Sequence, residues 1–179
     1  MKLNAKYELT DSPRRLRLKA TQKFGTGPTS VWTCGQNAYC ELGHHDTDGR
    51  KVPVRVSDLA RQDAIAVAAG NEHTIVLTAQ GNLLSVGYND SGQCGQGNTG
   101  RVERFTQIDE LSGRGVRLVV AFNGCEHTMV TTADGKLFTF GKNDRGQVGL
   151  GVGAGALYTV WNMHIMHSTV STSRPSPGD

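Results

Sequence analysis

The stretches Gly70–Gly97 (GNEHTIVLTAQGNLLSVGYNDSGQCGQG) and Gly124–Gly151 (GCEHTMVTTADGKLFTFGKNDRGQVGLG) align without a gap at a spacing of 54 residues, and 16 of their 28 positions are identical. Background composition would give about two identities over that length. The two stretches are therefore copies of one unit, and an internal repeat decides the architecture before any single motif does.

The identities fall where backbone geometry demands them. Gly70, His73 and Thr74 match Gly124, His127 and Thr128; Gly81 and Gly87 match Gly135 and Gly141; Asn89 and Gly95 match Asn143 and Gly149. Each copy reads as strand, Gly turn, strand. Asp134-Gly135 is the stronger hairpin signal, because the turn needs a positive φ that Gly adopts at no steric cost. Thr74–Thr78 and Leu137–Phe140 are rich in β-branched and aromatic residues, as strands half-buried in a sheet tend to be. The runs Gly87–Gly97 and Gly141–Gly151 carry too many glycines for a helix and too few apolar residues for a core strand. They are expected to be ordered loops.

A third, thinner copy lies 52 residues upstream, where Gly35, Asn37 and Gly43 in VWTCGQNAYCELG stand in the places of Gly87, Asn89 and Gly95. Cys40 replaces Gly92 there, which argues against a left-handed backbone at that point. No Gly-x-x-His-Thr element precedes His73 by that distance, so the first hairpin is expected to be incomplete or divergent.

With Gly-x-x-His-Thr, Asp-Gly and Gly-x-Asn-x-x-Gly-Gln-x-Gly elements in this order, residues 31–151 resemble the regulator-of-chromosome-condensation repeats. The resemblance implies an all-β fold, a β-propeller of four-stranded antiparallel blades of about 50 residues each. Residues 24–151 hold material for fewer than three blades, so the expected fold is an incomplete β-propeller. Its open ends imply a piece or short form of a longer protein, or assembly with other chains, since only closure removes exposed sheet edges. Residues 152–179 show no repeat register and end in Ser, Thr and Pro. They are expected to be a divergent, mostly disordered tail.

Bulk composition limits the function classes. Glycine, 23 of 179 residues, is nearly twice its usual share, which many tight turns explain. The four cysteines form no CxxC pair and no signal-peptide pattern opens the chain, which points to a reducing intracellular compartment, cytoplasmic or nuclear, and not to a disulfide framework. No apolar run is long enough to cross a membrane. Residues 1–23 carry seven basic side chains (Lys2, Lys6, Arg14, Arg15, Arg17, Lys19, Lys23) against Glu8 and Asp11, a balance of +5 in a chain of +3 overall. The remainder is thus −2, so nucleic acid is not an expected partner except weakly through this basic N-terminal segment, whose RRLRLKA pattern reads first as an edge strand.

Chemistry-bearing residues read as structure. His73 and His127 recur at equivalent points of two units, whereas a catalytic group is needed once per site; hydrogen bonding between strands or blades is the expected role. Cys34, Cys40, His44 and His45 lack the tight C-x2-4-C arm of a zinc site. Gly95-x-Gly97-x-x-Gly100 does not join a strand to a helix, so it is not a dinucleotide fingerprint. Asn89-Asp90-Ser91 is formally a glycosylation acceptor, which its place in the repeat argues against. No nucleophile–base arrangement or P-loop occurs, and no catalytic residue, cofactor or metal is expected.

The expected function is therefore a non-enzymatic protein-interaction or scaffold module, with partner specificity carried by loops. The resemblance also implies two alternatives: guanine-nucleotide exchange or regulation of a small GTPase, and substrate recognition within a ubiquitin ligase. Light sensing, known for plant ultraviolet-B receptors of this fold, needs clustered tryptophans, and the chain holds only Trp32 and Trp161.

Overall fold

A computed structural model of the chain describes residues 29–121 and 124–149, together with the backbone of Asn162–Ile165. These residues form ten strands and one 3-10 turn at Asp109–Leu111, with no α-helix among them. The fold is all-β and antiparallel. β1 (Trp32–Gly35) pairs with β2 (Arg50–Arg55). The second blade holds β3 (Ala64–Ala69), β4 (His73–Thr78), β5 (Leu83–Gly87) and β6 (Val102–Gln107), in that order across the sheet. The third holds β7 (Val116–Val120), β8 (His127–Thr132), β9 (Lys136–Gly141) and β10 (Asn162–Ile165).

The thin upstream copy is a true one. β1 and β2 pair as Thr33↔Val54 and Gly35↔Arg50, and β5 and β6 as Ser85↔Thr106 and Gly87↔Val102, the same register displaced by 52 residues, with the register break at the same place. β1–β2 is the outer half of a first blade. The residues that would supply its inner half, and the basic segment 1–23, lie outside the described part of the chain.

The spacing of the repeat is not uniform. β4 and β5 map onto β8 and β9 at 54 residues, but β3 maps onto β7 at 52: Ala66↔Leu77 corresponds to Leu118↔Thr131. Three residues separate Ala69 from His73, and five separate the equivalent Ala121 from His127. The third unit therefore carries two residues more than the second between these two strands.

Two apolar layers hold the blades face to face. Val31, Val56 and Leu59 from the first unit pack with Val76, Leu84, Val86 and Phe105 of the second. Ile75, Leu77 and Leu83 of the second pack with Val116, Val119, Val130, Phe138 and Phe140 of the third, closed over by Ile108 and Leu111 from the connection. With a neighbour on both sides, all six residues of β4 are buried. With a neighbour on one side, β8 alternates between half-buried and buried residues. Each fully buried aliphatic side chain contributes roughly 1.5–3 kcal/mol.

One expectation is modified. Cys40 does adopt the left-handed conformation, with φ +66°, beside φ +76° at Gly92 and +77° at Gly146 in the equivalent turns. The turn's hydrogen bonds, Cys40 N–H to the Asn37 carbonyl and Gly43 N–H to the Cys40 carbonyl, hold the residue there despite the side-chain cost. The divergent tail of residues 152–179 lies outside the described residues except at Asn162–Ile165. Those four residues form a strand antiparallel to β9, with Asn162 opposite Thr139 and Ile165 opposite Lys136.

Candidate interaction surface

Each loop that follows an outer hairpin strand is locked by one buried asparagine. The Asn37 side-chain oxygen accepts from Leu42 N–H at 2.9 Å, that of Asn89 from Cys94 N–H at 2.9 Å, and that of Asn143 from Val148 N–H at 3.1 Å. The Asn89 amide also donates to the carbonyls of Asn98 and Gly100. It is fully buried, so a glycan acceptor at this position would have no access. Side-chain oxygens of Glu41, Gln93 and Gln147 clamp the same loops by accepting from the N–H groups of Tyr39, Ser91 and Arg145.

The recurring Gly positions make room for neighbouring backbone and rings. Gly87 and Gly141 have φ +116° and +109°. A Cβ on Gly141 would lie 2.5 Å from the Glu126 carbonyl oxygen and 2.7 Å from His127 Cα, and Gly87 faces Glu72 and His73 in the same way. This close approach lets Tyr88 N–H and Lys142 N–H reach the carbonyls of Glu72 and Glu126, both at 2.7 Å. Gly43 and Gly95 lie under aromatic rings of the next blade, Phe105 and Phe140. Gly70 lies against the His73 ring, Gly81 and Gly135 take φ +82° and +76° in the hairpin turns, and Gly124 and Gly149 are also left-handed at +86° and +80°.

Blades are tied to one another through the His-Thr pair. The Thr74 hydroxyl donates to the Glu41 carbonyl of the preceding unit (2.8 Å), and Thr128 repeats this bond to the Gln93 carbonyl (2.9 Å). Because the single Thr128 proton is committed to Gln93, the 3.0 Å contact between its oxygen and His73 Nε2 has the imidazole as donor. Nδ1 of His73 is buried without a partner. Burial, with a smaller contribution from His127, pushes the His73 pKa down to about 4, so the ring is neutral. His127 is half-buried, and burial lowers its pKa as well.

On the loop side these ties leave a polar and aromatic surface. Tyr39 and Tyr88, from loops of successive units, stack with ring centroids 4.7 Å apart and planes at 57°. The Tyr88 hydroxyl donates to Asp90 (2.8 Å), and that bond, with burial, pushes the phenol up to about 12. Glu72 has its carboxyl pKa raised by burial first and then by the charges of Glu41 and Glu126. Lys142 bridges Glu126 at 3.0 Å and approaches Asp144 at 3.9 Å, and its own pKa is raised chiefly by the Glu126 bond. Three carboxylates from three units thus face a common region beside the tyrosine pair. In the sequence Glu72 and Glu126 stand out only as one identity of the repeat, while Tyr39 and Tyr88 occupy positions where the third copy has Arg145 and Lys142, so no repeat signal marks them.

Other candidates are placed apart or inertly. His44 Nε2 is 3.0 Å from the Thr33 hydroxyl, whereas His45 Nε2 is 2.6 Å from Asp58. All four cysteines are free thiols; burial raises the pKa of Cys34 and Cys40, and raises Cys94 to about 12. A protonated thiol is a poor nucleophile and metal ligand. Among the described residues, no group of three or more His, Cys, Asp or Glu side chains could hold a metal, and no helix is long and apolar enough to cross a membrane. Gly95, Gly97 and Gly100 lie in the loop between β5 and β6.

Four-stranded antiparallel blades, stacked face to face and chained by repeated side-chain bonds, define a β-propeller-type repeat array. The model of the regulator of chromosome condensation (RCC1) repeat matches residues 30–77 and 80–131, and a second model of that repeat matches 64–93; the chain belongs to this repeat family. It is 32% identical over 126 residues to the human E3 ubiquitin-protein ligase HERC2, a match covering 70% of this chain and 3% of that protein. It is also 32% identical over 119 residues to the zebrafish (Danio rerio) protein RCC2 homolog, covering 66% of this chain and 24% of the relative. The crystal structure of Prp20p from Saccharomyces cerevisiae superimposes with a TM-score of 0.66 at 20% identity, over 79% of this chain and 35% of Prp20p. The chain therefore spans about a third or less of the length of these relatives.

Proposed function

We propose that the chain is a non-enzymatic protein-interaction module whose contact surface is the loop face carrying Tyr39, Glu41, Glu72, Tyr88, Asp90 and Glu126. The observation that carries this reading is the placement of Glu41, Glu72 and Glu126, one from each unit, near enough that the charges of Glu41 and Glu126 add to burial in raising the Glu72 pKa. Glu126 already holds Lys142, so Glu72, half-buried and beside like charge, gains most when a further cation arrives, and the tilted tyrosine pair offers apolar area and ring faces beside it. A protein segment rich in Lys and Arg fits this chemistry. Prp20p is described as binding Gsp1p and histones, which supports a protein partner for the fold. The free thiols fit a reducing compartment, cytoplasm or nucleus.

Titrating a fluorescent Lys/Arg-rich peptide into the full chain tests the reading. Binding should weaken with added salt, and Glu72→Lys should reduce affinity by about tenfold, the loss of roughly 1.4 kcal/mol. Absence of binding, or binding indifferent to Glu72→Lys, would remove the acidic face from the account.

Two finer readings rest on the relatives. Similarity to HERC2 supports a place in substrate recognition within a ubiquitin ligase, which uses the same surface without catalysis by this chain. Similarity to Prp20p supports action on a small GTPase. Stimulated release of labelled guanine nucleotide from a panel of small GTPases would replace the interaction reading with exchange; unchanged release would leave the interaction module standing.

A further inference from the structure

The contact between the second and third blades shows how each face of a blade is used in this chain. His73, Ile75, Leu77 and Leu83, on the face toward the third blade, are 1%, 0%, 0% and 0% exposed. Their equivalents in the third blade are His127, Met129, Thr131 and Leu137, and all four are only half-buried. Leu118, the equivalent of Ala66, stands on the same open face at 50% exposure. One surface of the third blade thus repeats one half of that interface, and no partner for it is present among the described residues.

The complementary half recurs at the opposite end. Leu84 of the second blade and Phe138 of the third occupy one repeat position, and each enters the apolar layer shared with the preceding blade. In β1 that position is Trp32, paired with Arg55 as Leu84 is paired with Gln107. Trp32 is 45% exposed. Of the three large exposed apolar side chains among the described residues, Trp32 and Leu118 mark the two end faces, one each.

We propose that a second copy of this chain docks head to tail on the first, seating Trp32 of one against Leu118, Met129 and Leu137 of the other. The contact continues the blade-to-blade interface already present between β3–β6 and β7–β10. A buried Trp entering an apolar seat is the kind of residue that dominates interface energetics. Because the two faces differ, the association is heterologous and each copy keeps one face for a further neighbour unless the ring closes. This surface is separate from the acidic loop face, so it stands or falls independently of the function proposed above.

Sedimentation of the full chain over a wide concentration range tests it, using Trp32→Asp and Met129→Asp. The unaltered chain should gain mass as concentration rises, and each variant alone should stay monomeric. An equimolar mixture of the two variants should form a species of twice the chain mass and stop there, because each retains one intact face. A face-to-same-face dimer would not give that pattern. An unaltered chain that remains monomeric, a single variant that still associates, or a mixture that does not pair would each overturn the proposal. Circular dichroism checks that both variants keep their β-sheet signal; if either loses it, the uncharged pair Trp32→Gln and Met129→Gln must show the same mixing behaviour.

Discussion

His73 Nε2 lies 3.0 Å from the Thr128 hydroxyl, 55 residues along the chain and one blade away. The Thr128 hydroxyl in turn donates to the Gln93 carbonyl, back in the second blade, so strand β8 is bound to two points of its neighbour through one hydroxyl. In this bond the His of the second unit donates to the Thr of the third. His127 is the equivalent histidine of the third unit, and its half-buried ring stands on a face against which no further blade packs among the described residues.

That contrast separates two equivalent residues. His73→Ala should cost about 3 kcal/mol, from the buried volume and the lost inter-blade bond, whereas His127→Ala should stay within about 1 kcal/mol. Urea unfolding of the two variants under one condition checks the difference; equal costs would contradict the inter-blade role of His73.

The same burial sets a pH dependence. Native His73 titrates near pH 4, while an unfolded histidine titrates near 6.5. Below about pH 6.5 the unfolded chain takes up a proton that the native ring refuses, so stability is full above that pH and declines as pH falls toward 4. The loss from this residue is at most about 3 kcal/mol. His73→Phe should flatten the slope in urea unfolding between those pH values, and the His73 imidazole resonances should not titrate above pH 5.

Two glycines with similar backbone sign should respond differently to alanine. At Gly135 a Cβ meets nothing within 4 Å, so Gly135→Ala should cost only the left-handed penalty of about 1–2 kcal/mol. At Gly87 a Cβ would collide with the Glu72 carbonyl and His73 Cα, so Gly87→Ala should cost well over that, about 4 kcal/mol. Thermal or urea unfolding of both variants decides it.

Asn89→Asp exchanges a buried amide donor for an acceptor facing the carbonyls of Asn98 and Gly100. The predicted cost is about 3 kcal/mol, with early loss of amide hydrogen-exchange protection across the loop between β5 and β6.

The β4–β5 and β8–β9 hairpins are legible because Gly81, Gly87, Gly135 and Gly141 must sit at fixed distances from the strands they punctuate. The shift of β7 is not, since β3 and β7 share an apolar pattern but few identities, so the two extra residues between Ala121 and His127 leave no mark in the repeat. Cys40 defeats a propensity argument: one residue's left-handed cost is small beside the hydrogen bonds and packing that fix its turn. The paired faces of Tyr39 and Tyr88, and the meeting of Glu41, Glu72 and Glu126, are created by blade stacking. The repeat spacing encodes the pair Glu72 and Glu126, but not their meeting with Glu41 or the tyrosines.

Mapping amide chemical-shift changes in the full chain as a Lys/Arg-rich peptide is added tests the interaction account most directly. The account predicts changes concentrated at Tyr39, Glu41, Glu72, Tyr88, Asp90 and Glu126. Changes centred on the hairpin turns at Ala79–Asn82 and Ala133–Lys136, or no changes at saturating peptide, would contradict it.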